Sequence, residues 1–97
     1  MSYNPWRVGT ATLNFGAATT NNDVATVVVS VNWVNANSKF NLQKAYLDTS
    51  NHLADEILIE EIQLTFGNII PNVSFEIKGY APNLTYGEYY IVYTCGN

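Results

Sequence analysis

Asp48, His52, Asp55 and Glu56 form the one stretch of this chain that combines an imidazole with closely spaced carboxylates. A hard cation would accept those carboxylates, and zinc would want the imidazole as well. The spacing matches no helical histidine motif and no calcium loop. The competing reading is a solvated loop whose Asp and Asn side chains bond their own backbone. That loop is the expectation, so the four residues are kept only as a weak metal candidate. Glu60 and Glu61 would need a distant carboxylate partner for glycoside cleavage, and neighbouring strand residues point to opposite faces. The serines lie in no Gly-x-Ser-x-Gly elbow and the chain has a single histidine. Its six glycines are dispersed turn markers rather than a phosphate-cradling loop. The sequence therefore predicts no catalytic residue, no metal and no cofactor.

Aromatic side chains carry the second chemistry. Tyr80, Tyr86, Tyr89, Tyr90 and Tyr93, with Trp6 and Trp33, help bring the aromatic share to 13%. Rings beside amides bind sugars by stacking, but they also build cores and protein interfaces. Core plus subunit interface is the expectation. Tyr3, Trp6, Tyr86 and Tyr90 are the candidate interface or ligand surface. A glycan-binding, lectin-like module for receptor recognition is the alternative.

The elements that must position these groups alternate with a period of two, as half-buried strands do. Residues 8–15 place Ala11, Leu13 and Phe15 on one face. Residues 24–34 place Val27, Val29, Val31 and Trp33 on an apolar face, and Val24, Thr26, Val28, Ser30 and Asn32 on a mixed face read as partly covered. Residues 40–48 change phase between Phe40/Leu42 and Ala45/Leu47, which predicts a bulge near Lys44. Residues 57–66 and 73–80 form a central pair joined by residues 67–72, where Gly67-Asn68 and Pro71 supply turn chemistry. Residues 81–83 read as a second turn before a last strand over 85–94. Between Asp48 and Glu56 the expectation is a loop running into a strand, with a single helical turn around Ala54. A longer helix ending at Glu61 would put a glutamate on the face of Leu53 and Ile57. The resulting fold class is all-β: a six- to seven-stranded, mostly antiparallel β-sandwich over residues 8–97. Residues 1–7 are expected to be an N-terminal arm. The core is expected from Leu13, Phe15, Val27, Val29, Val31, Trp33, Leu64, Phe66, Phe75, Ile77 and Ile91.

Composition narrows the function. Charged residues make up only 12% of the 97, about half the usual share, and thirteen asparagines take their place. Such a surface loses little ionic hydration when buried, which favours a partner. The net charge is −4, and Arg7, Lys39, Lys44 and Lys78 are scattered, so nucleic-acid binding is not expected. Cys95 is the single cysteine, which excludes an internal disulfide. The apolar tract over 24–31 is too short to cross a bilayer, and the first residues lack an apolar leader core, so a soluble product made inside the cell is expected.

Four stretches also resemble a known group. Residues 11–17 (ATLNFGA), 52–56 (HLADE), 67–77 (GNIIPNVSFEI) and 86–92 (YGEYYIV) are similar, in order and spacing, to small β-rich proteins of tailed bacteriophages and prophages. The resemblance spans most of residues 9–93 and departs from the group at 32–44. It also departs at the end of the last strand, where Tyr93 and Cys95 replace tryptophans. It implies a non-enzymatic virion structural protein, either a capsid decoration or a tail- or fibre-associated piece. The implied partners are the chain itself, with a trimer preferred and a dimer next, and other virion proteins. A host glycan is the partner under the alternative.

Overall fold

The computed structural model describes residues 6–19 and 21–96, with only the backbone of Trp6. Six strands and one short helix follow in chain order: β1 (Trp6–Asn14), β2 (Asn22–Ser30), β3 (Phe40–Lys44), α1 (Ala54–Ile59), β4 (Gln63–Ile70), β5 (Ser74–Thr85) and β6 (Glu88–Gly96). They make two three-stranded antiparallel sheets, ordered β1-β6-β3 and β2-β5-β4. The sheets pack face to face with β1 against β2 and β3 against β4. This is the all-β sandwich that the strand periodicity predicts.

The core lies where the alternation places it. Leu13, Phe15, Phe75, Ile77 and Ile91 are fully or almost fully buried, Val27, Val29, Val31, Trp33 and Leu64 pack against them half-buried, and Phe66 is half-buried against Phe40. Aromatic rings join the two sheets. Phe40 of β3 stacks on Phe75 of β5 at 4.0 Å and meets Phe66 edge-on at 5.1 Å. Val34, Ile57, Tyr89 and Cys95 are also buried, as inward residues of β6 or anchors of connecting segments. Opposite Tyr93 in the β1–β6 ladder stands Gly9, and a Cβ there would collide with the Tyr93 phenol.

Several boundaries differ from the expected ones. A helix occupies residues 54–59, and strand β4 starts only at Gln63. The helix stops before Glu60, so the glutamate that argued against a helical reading never enters its buried face. Only Ile57 of α1 is fully buried; Leu58 is 62% exposed and Ile59 84%. Residues 81–83 are not a turn between strands, because β5 continues through them to Thr85. Tyr80 pairs with Val24 and Thr85 with Asn22, so residues 81–84 bulge opposite Asp23. Pro82 is tolerated there because a bulge leaves the ladder unpaired. No bulge interrupts β3: its register with β6 is even to Lys44, and the Ala45 N–H still donates to the Tyr90 carbonyl at 2.8 Å. The register break falls instead in β4, between Gly67 and Ile70, where Asn68 takes a positive φ of 46°. The outer face of β2 is open rather than partly covered, with Val28 61% exposed. β1 begins at Trp6, so Trp6 and Arg7 belong to a strand rather than to an arm.

Candidate functional site

The polar segment between β3 and α1 is a clasp on the β5–β6 turn. Thr49 closes its own tight turn: its N–H donates to the His52 carbonyl at 2.8 Å, and its Oγ1 accepts the N–H groups of Asn51 (3.1 Å) and His52 (3.0 Å). Two side chains then reach across to Glu88. The Glu88 N–H donates to Asn51 Oδ1 at 2.9 Å, and Ser50 Oγ donates to Glu88 Oε1 at 3.1 Å. Gly87 makes the approach feasible. It takes a φ of +75°, and a Cβ there would sit 2.5 Å from the Asn51 side chain. Gly87 is held from the other side by Phe15 and Gly16, through backbone hydrogen bonds of 2.9 and 2.8 Å.

His52 is the centre of the clasp. Its side chain is 5% exposed, and both ring nitrogens have partners. Nε2 donates to the Tyr86 carbonyl at 2.6 Å, and Nδ1 faces Glu56 Oε1 at 3.1 Å. Both nitrogens thus face acceptor oxygens, one of the turn and one of α1, and the second contact is the His52–Glu56 hydrogen bond. That hydrogen bond, followed by the one from the Leu53 N–H, holds the Glu56 carboxyl below its ordinary value of 4.5. The imidazole stacks on Tyr89 at 4.4 Å and leans on Tyr86 at 5.0 Å. Tyr89 shares a buried hydrogen bond of 2.7 Å with Thr85 Oγ1. Burial raises the Tyr89 phenol above its ordinary value of 10.0, against the opposing pull of that bond.

The four expected loop residues thus separate into different tasks. His52 and Glu56 come together. Asp48 instead turns to the helix start, its Oδ1 accepting the Ala54 N–H at 2.8 Å, and Asp55 is exposed in the first turn of α1. Among the described residues no group of three or more His, Cys, Asp or Glu side chains converges on one point. Glu60 is half-buried at the end of α1, and its carbonyl and that of Ile57 accept from Lys44 Nζ, the latter at 2.8 Å. Lys44 was absent from the expected site. Its position at the end of β3 gave no signal in a chain whose partner residues lie thirteen and sixteen positions on.

Tyr86 and Tyr90 are both half-buried. Tyr86 packs on His52 in the turn, whereas Tyr90 pairs with Thr12 on the outer face of the β1-β6-β3 sheet. Tyr3 and the Trp6 side chain lie outside the described residues. No helix among the described residues is long and apolar enough to cross a membrane. No protein-family model, curated protein or solved structure matches this chain.

Proposed function

We propose that the chain is a non-enzymatic structural component of a bacteriophage virion, which acts by associating with itself and with other particle proteins. The observation that carries the assembly part is apolar surface on a chain with little charge. Val8, Val28, Leu58 and Ile59 are each more than 60% exposed, and only 12% of residues are charged. Exposed apolar side chains on a charge-poor surface favour burial against a protein partner. The placement on a phage particle is supported by the resemblance of residues 11–17, 52–56, 67–77 and 86–92. A structural role also agrees with the clasp, where Asp48, His52 and Glu56 all bond groups of their own fold.

Light scattering on the isolated chain and mass spectrometry of purified particles test the proposal together. The expected results are a self-associated chain and its presence in mature particles. A monomer that is absent from mature particles would overturn the reading.

A further inference from the structure

The four edge strands of the sandwich are not protected equally. β3 is five residues long with Lys39 and Lys44 at its ends, and β4 has its register break before Pro71. Short length, lysines, bulges and proline all keep an edge from pairing with another strand. β1 carries Arg7 near its start. β2 has no such device from Val24 to Ser30: the run Val-Ala-Thr-Val-Val-Val-Ser holds no charge, proline, glycine or register break.

The outward backbone of β2 can be assigned residue by residue. Val31 N–H donates to the Val73 carbonyl at 3.0 Å, in register with the β2–β5 ladder. Antiparallel alternation then makes Val29–Phe75, Val27–Ile77 and Ala25–Gly79 the hydrogen-bonded pairs. The N–H and C=O groups of Val24, Thr26, Val28 and Ser30 therefore point out of the sheet edge. Among the described residues no strand pairs with them. Their side chains are also exposed.

We propose that this edge pairs antiparallel with the β2 edge of a second copy, about a two-fold axis at Val27. Thr26 then stands opposite Val28 of the second copy, and Val24 opposite Ser30. All four outward residues find hydrogen-bonding partners, and two β-branched pairs meet on the outer face. Pairing fixes the register, because only a two-fold at Val27 matches all four outward residues with one another. Within each chain Glu76 pairs with Val28 and Lys78 with Thr26, so each row across the new sheet runs from Glu76 of one copy to Lys78 of the other. A two-fold at Thr26 would instead align Lys78 with Lys78. The charges stand three strand spacings apart, about 14 Å and beyond the Debye length at ordinary salt, so they add little and the backbone supplies the contact. The product is a continuous six-stranded sheet with two-fold symmetry, which favours a dimer over the three-fold ring that the phage resemblance implies.

This inference rests on the self-association reading and names the surface responsible. The test uses the full chain in sedimentation equilibrium, with Thr26→Lys/Val28→Lys and Thr26→Glu/Val28→Glu variants. Both positions are exposed in the monomer, and circular dichroism confirms that each variant keeps the fold. Each variant alone sets like charges opposite each other and is expected to dimerise at least about tenfold more weakly than the unaltered chain. An equimolar mixture of the two is expected to restore the dimer. Variants that assemble as tightly as the unaltered chain would overturn the β2 edge while leaving self-association standing. An unaltered chain that is monomeric yet present in particles would overturn the edge and leave the virion reading. A monomer absent from particles would overturn both.

Discussion

At the scale of single residues, His52 shows how a polar side chain becomes a structural anchor. Its ring is buried between Tyr86 and Tyr89, and each nitrogen faces an acceptor. Removing the ring in His52→Ala strands the Tyr86 carbonyl and opens space beside Tyr89. Unpaired buried groups cost about 1–3 kcal/mol, and the lost packing adds to that. A loss of roughly 2–4 kcal/mol in urea unfolding is expected, and an unchanged midpoint would show that the clasp contributes nothing. Glu56 gives the same contact a pH dependence. Its carboxyl is held below 4.5 in the fold, so the folded chain binds the proton less readily than the unfolded chain does. The stability from Glu56 is thus present above pH 4.5 and disappears as pH falls through the folded value. Glu56→Gln is expected to unfold earlier than the unaltered chain near neutral pH, with the two curves converging in acid. Parallel curves down to low pH would contradict a stabilising His52–Glu56 contact. Only part of this clasp could be read from spacing: residue identity pointed to His52 and to Glu56 four positions on, but the Tyr86 carbonyl comes from 34 positions away, in the turn after β5.

Among the elements, the strands with clear alternation were legible and the helix was not. Leu13, Phe15, Phe75, Ile77 and Ile91 sit inward because the period of two admits no other arrangement once one face is buried. Helix α1 has only six residues and buries only Ile57, so it leaves almost no 3.6-residue stripe to detect. Helices this short depend on contacts beyond their own sequence. Asp48 and Glu56 satisfy N–H groups at its start, and Lys44, from β3, donates to the carbonyls of Ile57 and Glu60 at its end. A cation at a helix C-terminus meets both the free carbonyls and the negative end of the dipole. Burial lowers the Lys44 pKa, with Glu60 opposing, so part of this gain is offset by desolvation. Lys44→Met keeps the aliphatic stem and removes the donor. It is expected to cost about 1–2 kcal/mol and to speed amide exchange over residues 54–60 more than in the β2–β5 ladder. Uniform acceleration across the chain would mean that Lys44 supports the whole fold instead of this element.

For the molecule as a whole, the division of charge decides how assembly should respond to solvent. A net charge of −4 makes two copies repel weakly, and the charge-poor surface provides few ion pairs to hold them together. The groups left for association are the outward backbone of β2 and exposed apolar side chains such as Val28, Leu58 and Ile59. Backbone pairing and apolar burial are little affected by screening, whereas net repulsion is reduced once the Debye length falls from about 30 Å at 0.01 M salt to about 3 Å at 1 M. The Glu76-to-Lys78 rows across the two-fold are long, so screening them costs little. Self-association is therefore expected to hold or strengthen as salt rises. Sedimentation equilibrium of the unaltered chain across that range measures it directly. A dimer that dissociates progressively with salt would show that charged pairs, rather than the uncharged β2 edge and apolar surface, hold the copies together.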